Sequence, residues 1–149
     1  MERDQVSKIL IINNLALGEQ EVVIKNFFVI GHAKNTGISY GGFSDASPVF
    51  FILIYVLAIG VFAYLAKDIN FSSKKLYSIS LTMMIAGGIG NLIDRALFGE
   101  VTDFLILIIF RKELFGIFNI ADIFLVLGMI VFAIDIIVED ILKWNKNSQ

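Results

Sequence analysis

VFFILIYVLAIGVFAYLA, residues 49–66, runs for 18 positions without a charged side chain. As an α-helix it would be about 27 Å long at 1.5 Å per residue, close to the ~30 Å hydrocarbon core of a bilayer. The run therefore predicts a membrane-spanning helix. Two more apolar segments, at 76–95 and 120–140, predict two more. The whole chain agrees: of 149 residues, 57% are hydrophobic and 17% charged, against about 25% charged in an ordinary soluble domain. The fold class expected is an α-helical integral membrane protein, a transmembrane helix bundle in one membrane-embedded domain over residues 1–149.

Several function classes fall away on composition. There is no Cys, which removes thiolate metal sites and Cys nucleophiles together. One His leaves little for a zinc site or a Ser/His/Asp triad. A net charge of −2 supplies no basic field for nucleic acid. No metal, no cofactor and no nucleic-acid partner are expected. Membrane lipid is expected as a partner, and the oligomeric state expected is a monomer.

The loop KDINFSSKK, residues 67–75, holds Lys67, Lys74 and Lys75, and the tail holds Lys143 and Lys146. The positive-inside rule puts both in the cytoplasm. The other ends of the spans, rich in Asn, Asp and Gly, then face outward. Arg95, Arg111 and Lys112 fall on that outer side and run against the rule.

Ahead of the first span, residues 9–45 contain ILIINN, EVVIKNFFVI and NTGISYGGF, short β-branched and aromatic runs broken by Asn and Gly. That pattern predicts an antiparallel sheet lying on the outer membrane surface. FLILIIF, residues 104–110, is too short to cross and is expected in the interface or closing the end of a helix.

The polar residues among these spans carry the functional question. GGIGNLIDRALFGEVTDF, residues 87–104, places Asn91, Asp94, Arg95 and Asp103 in a chain where an unpaired charge in lipid costs several kcal/mol. Asp103 follows the second span and Asp122 opens the third, so antiparallel helices bring the two to one membrane face. Two close carboxylates share a proton, the acid/base arrangement of aspartic proteases. Asn119 and Ala121 suit a helix start whose free N–H groups favour an anion. A purely structural reading stays open beside this one, with Asp122 a helix N-terminal residue and Asp103 an interfacial charge. Asn91 and Arg95, four apart, share a helix face, where Arg95 could bind an anion or a carbonyl, or simply tie helices together. Asp94 points elsewhere on the helix and reads as structural, Asp135 as snorkelling or locally paired, and His32 as a sheet-edge residue. A small proton-coupled or non-enzymatic polytopic membrane protein is the alternative. It predicts carboxylates deep in the spans, whereas these two sit at span ends.

The motifs taken together resemble the lipoprotein signal peptidase family, signal peptidase II, over nearly the whole length. DQVSK (4–8) resembles the family's D-Q-x-x-K, NTGISY (35–40) its N-x-G-A-A-F, GNLIDR (90–95) with GEVTDF (99–104) its third block, and FNIAD (118–122) its fourth. Ile38, Ser39, Tyr40 and Thr102 depart from the usual residues. The resemblance implies an aspartic endopeptidase of the bacterial cytoplasmic membrane with its active site on the extracytoplasmic face. Asp103 and Asp122 match the catalytic pair. Asp4, Lys8, Asn35, Gly37, Asn91, Arg95 and Asn119 match residues that position substrate or support that pair. The substrates implied are diacylglyceryl-modified prolipoproteins, cut on the amino side of the lipidated Cys. Family members carry a span just before D-Q-x-x-K, and only MER precedes it here, so about 20 further apolar residues forming a fourth span are expected upstream of Met1.

Overall fold

The computed structural model describes residues 2–37 and 47–147. Within them the order is α1 (Glu2–Asn14), β1 (Gln20–Ile24), β2 (Phe28–Asn35), α2 (Pro48–Leu65), a 3₁₀ turn (Ala66–Asp68), α3 (Lys75–Phe98), β3 (Val101–Ile109), β4 (Lys112–Phe118) and α4 (Ile120–Asn147). Three helices are long and apolar enough to cross a membrane, over Val49–Asp68, Lys75–Phe98 and Ile120–Ile141. The protein is a helical membrane protein with a small antiparallel sheet, as its sequence predicts.

The middle span is the core of the bundle. In the spanning window of α3, 44% of residues are buried, against 6% in α2 and 11% in α4. α3 packs against both neighbours. The outer helices turn Leu53, Leu57, Val61, Val126, Leu127 and Ile130 outward, a surface that lipid solvates and water would not. α3 and α4 approach closely because the contact positions lack side chains. A Cβ on Gly87 would stand 2.5 Å from the Ala121 carbonyl oxygen, and one on Gly90 2.9 Å from both Ala121 Cβ and Asp4 Oδ2. Small residues are how membrane helices, lacking a hydrophobic drive to associate, reach dispersion contact.

The sheet corrects two expectations. Residues 9–14 are the second half of helix α1 rather than strand, and among the described residues of the region 9–45 only β1 and β2 are strands; Ile38, Ser39 and Tyr40 of the second motif lie outside the described residues. FLILIIF does not close the end of a helix. It is most of β3, which pairs with β2 on one side and β4 on the other in a four-stranded antiparallel sheet of order β1-β2-β3-β4. β3 is paired on both edges and none of its residues is fully exposed, so it reads as a continuous apolar run without the alternation of a half-exposed strand. The helices run longer than the spans expected at 76–95 and 120–140, α3 to Phe98 and α4 to Asn147.

Short connections then fix the sheet to the spans. Gly99, left-handed at φ 76°, caps α3 with its N–H on the Arg95 carbonyl at 3.0 Å, and two residues later β3 begins. Asn119 alone separates β4 from α4. The end of β3 that carries Asp103 is thereby held against the start of α4. In β2 a bulge between Ile30 and Ala33 sets Ala33 opposite Asp103 and Asn35 opposite Val101.

Candidate active site

α4 begins with a reciprocal cap. Asn119 Oδ1 accepts from the Asp122 N–H at 3.0 Å, and Asp122 Oδ2 accepts from the Asn119 N–H at 3.1 Å. This is the capping-box arrangement, which satisfies two helix N–H donors that otherwise have no partner. It also fixes the Asp122 carboxylate in direction. The structural reading of Asp122 is therefore met by the same bonds that aim it.

The Asn119 side chain joins the two carboxylates. Its Nδ2 donates to Asp103 Oδ1 at 2.7 Å and to Asn91 Oδ1 at 3.1 Å. Asn91 Nδ2 donates to Asp122 Oδ1 at 2.7 Å. Asn35 Nδ2 donates to Asp103 Oδ2 at 2.8 Å, while its Oδ1 takes the Gly37 N–H at 3.0 Å. Two acids from different elements are thus tied through three amides, with no cation in direct contact among the described residues. Burial pushes the Asp103 carboxyl up to about 7 and the Asp122 carboxylate pushes it the same way, against the amide donors of Asn35 and Asn119 and the more distant Lys8 ammonium. Asp103 is 2% exposed. A carboxyl titrating near neutrality beside a second carboxylate is what a shared proton requires.

Behind Asn91 lies a second cluster. Lys8 Nζ stands 2.9 Å from Asp4 Oδ2 and 2.9 Å from Asp94 Oδ2, and 3.4 Å from Asn91 Oδ1. Lys8, Asp4 and Asp94 are each 2% exposed. Asp4 Oδ1 accepts from the Ala121 N–H at 2.9 Å, so α1 supplies a cap to α4 from outside the helix. Asp94 takes the Thr102 N–H at 3.1 Å and Gln5 Nε2 at 2.9 Å. The expectation that Asp94 points elsewhere needs correction: it stays structural in role but lies in the same network, one bond from β3. Asn91 orients as it does because Lys8 and Asn119 both claim its oxygen, leaving its amine for Asp122.

Arg95 forms the third part. Its Nη2 donates to the Gly37 carbonyl at 2.6 Å and its Nη1 to the Thr36 carbonyl at 3.4 Å. The guanidinium lies 4.2 Å from the Phe51 ring centroid and 5.8 Å from that of Tyr55, a cation–π stack. Carbonyl binding is the outcome among the alternatives open to Arg95. The structure brings together all nine residues singled out in the sequence, Asp4, Lys8, Asn35, Gly37, Asn91, Arg95, Asn119 and the two acids. Phe51, Tyr55 and Gln5 were not among them. Gln5 sits inside the quoted DQVSK, and the i, i+4 pair of aromatics on α2 carries no signal apart from lipid-facing neighbours. His32 is not at a sheet edge: it lies on the inner strand β2, 6% exposed, with Nδ1 bonded to the Leu15 carbonyl at 2.9 Å. Among the described residues no group of His, Cys, Asp and Glu is arranged to hold a metal ion.

A helical membrane bundle with a buried pair of acids at one end defines the class, and comparison with known proteins narrows it. Residues 2–138 match the family model described as signal peptidase (SPase) II. The chain belongs to that family. It is 42% identical over 137 residues to the lipoprotein signal peptidase of Clostridium tetani, covering 92% of this chain and 86% of that one. Against the enzyme of the same name from Staphylococcus aureus it is 34% identical, covering 96% and 86%. A bacterial membrane enzyme solved by the in meso method at 2.3 Å resolution superposes with a TM-score of 0.79 at 33% identity, over 99% of this chain and 85% of that one.

Proposed function

We propose that this protein is an aspartic endopeptidase that removes signal peptides from diacylglyceryl-modified prolipoproteins, cutting on the amino side of the lipidated Cys, with Asp103 and Asp122 as its catalytic pair. The observation that carries the reading is Asn119, whose side chain bonds Asp103 while its backbone and amide oxygen clasp Asp122. One proton is shared by the pair. Burial of Asp103 and the carboxylate beside it favour a protonated carboxyl within the pair. The ionised partner accepts a proton from water as that water attacks the scissile carbonyl, and the protonated partner donates to the departing amine. Asn91 and Asn119 hold the carboxylates in register through that exchange, and Asp4 and Lys8 support them from behind.

The site lies at the end of the spans opposite Lys67, Lys74 and Lys75. With that lysine-bearing loop in the cytoplasm, the pair faces the extracytoplasmic side of the cell membrane, where a lipid-anchored substrate presents its cleavage point. Arg95 holds the carbonyls of Thr36 and Gly37, and Asn35 holds Asp103, so the segment after β2 is tied to α3 and to the pair and positions the substrate. The test is incubation of the purified protein in detergent with a diacylglyceryl-modified lipobox peptide. Cleavage at the lipidated Cys is expected, insensitive to chelators and lost in Asp103→Asn and in Asp122→Asn. Cleavage persisting in either variant would sink the catalytic pair.

A further inference from the structure

The two hairpins of the sheet turn at the same end, the one away from Asp103, because Phe28 pairs with Leu107 and the Ile108 N–H donates to the Phe27 carbonyl at 2.9 Å. Each turn carries an aromatic ring beside a base. The first has Lys25 and Phe27, the second Phe110, Arg111 and Lys112. Phe110 is 94% exposed and Phe27 49%, with Ile24 beside it at 51%. Lys25, Arg111 and Lys112 are exposed as well, and with Glu113 next to them the tip remains net positive. Phe110 and Arg111 both have positive φ, 51° and 63°, the two-residue turn that Asn-Gly favours and a bulky side chain resists. An exposed Phe in a conformation that disfavours it gains nothing in water.

We propose that this end of the sheet is an anchor for the headgroups of anionic phospholipids, the two rings entering the acyl boundary while Lys25, Arg111 and Lys112 pair with phosphate. The charge pattern is complementary to such a surface, and the sheet is continuous with the membrane spans at its other end through Gly99–Glu100 and through Asn119. The sheet therefore lies along the bilayer rather than standing up from it. Arg111 and Lys112, which run against the positive-inside rule, are retained as lipid ligands.

The full chain is placed in nanodiscs with Trp144→Phe removing the native indole and Phe110→Trp supplying one at the tip. Brominated phosphatidylglycerol or brominated phosphatidylcholine is then titrated into the disc. Quenching of the indole at position 110 is expected at a several-fold lower mole fraction of the anionic lipid, and Lys25→Gln/Arg111→Gln/Lys112→Gln should erase most of that preference. Phe27→Trp, read in the same way, is the second reporter should the first variant fail to fold by circular dichroism. Absence of quenching by either lipid, or equal quenching by both, overturns the proposal. So does an indole shielded only by added lipidated peptide or only at concentrations where a second copy associates.

Discussion

Two buried groups of carboxylates lie on either side of Asn91, and they differ in what neutralises them. Asp4 and Asp94 share the Lys8 ammonium at 2.9 Å each and accept N–H donors from Ala121, Thr102 and Gln5. Asp103 and Asp122 receive amide donors from Asn35, Asn91 and Asn119 but, among the described residues, no direct cation. The first arrangement satisfies ionised carboxylates, as a buried charge requires. The second leaves a pair for which a proton is the missing partner. On the proposed function, the same residue type is structural in one place and catalytic in the other, and the lysine separates the two.

The largest effects are expected where that missing partner is removed. Asp103→Asn and Asp122→Asn should each lower cleavage of a lipidated lipobox peptide by at least about 10²–10⁴-fold, since the amide keeps the volume and cannot carry the proton. Asp103→Asn should at the same time stabilise the fold above neutral pH. The folded-state value of about 7 lies above that of an unfolded carboxyl, so the folded state holds the proton more tightly and loses stability as pH rises from about 4 through about 7. The full penalty is on the order of 4 kcal/mol above that window. Thermal unfolding in detergent at pH 8 and pH 5 checks it: a higher midpoint for the variant is expected at pH 8 and a smaller difference at pH 5, and a lower midpoint at pH 8 would contradict the uncompensated pair.

Removing the cation from the compensated cluster should behave in the opposite sense. Lys8→Met leaves Asp4 and Asp94 buried without a counter-charge, a defect of about 3–5 kcal/mol. Lys8→Met combined with Asp94→Asn should recover part of that loss, because one of the two stranded charges goes. A chemical-denaturation series of the two single variants and the double variant measures the coupling. Strict additivity would mean that Lys8 and Asp94 do not act as a pair.

The sequence made the spans legible because uninterrupted apolar length is a local signal, whereas Asp residues at span ends left a structural reading open until the four motifs were taken together. What it hid was hidden for physical reasons. α1 inverts the usual pattern, burying Asp4 and Lys8 while exposing Val6, Ile9, Leu10 and Ile12, so its β-branched tail resembles strand. β3 is interior to the sheet and lost its alternation. The union of Lys8 with Asp94, 86 positions apart, depends on α1 settling across the groove at Gly90, and neither motif announces the other.

That groove is the place for a smaller, steric effect. In Gly90→Ala the new methyl would sit 2.9 Å from Asp4 Oδ2 and 2.9 Å from Ala121 Cβ, too close without a shift of α1 or α4. A loss of about 1–3 kcal/mol is expected, with cleavage reduced because Ala121 is next to Asp122. The same substitution at Gly60, where a Cβ meets nothing within 4 Å, should leave both unchanged. Equal stability of the two variants by thermal unfolding would show that the α1–α3–α4 junction yields more easily than its spacing indicates.

The smallest effect expected is a shift in pH dependence rather than a loss of function. Asn35 Nδ2 is a 2.8 Å donor to Asp103 Oδ2, and a donor to the charged form holds a carboxyl's pKa down. Asn35→Ala removes that restraint while Asn119 still holds the other oxygen. The Asp103 carboxyl, already at about 7, should then move higher, and the alkaline limb of the cleavage profile, where the shared proton is lost, should move up with it. Cleavage at the optimum should fall by roughly tenfold, since the bond also positions the segment at Thr36 and Gly37 that Arg95 grips. Asn35→Asp is the counterpart: a third carboxylate beside the pair should raise the limb further and lower the rate more. A profile whose alkaline limb stays in place in Asn35→Ala, whatever happens to the rate, would mean that the limb belongs to another group and that Asp103 does not carry the shared proton.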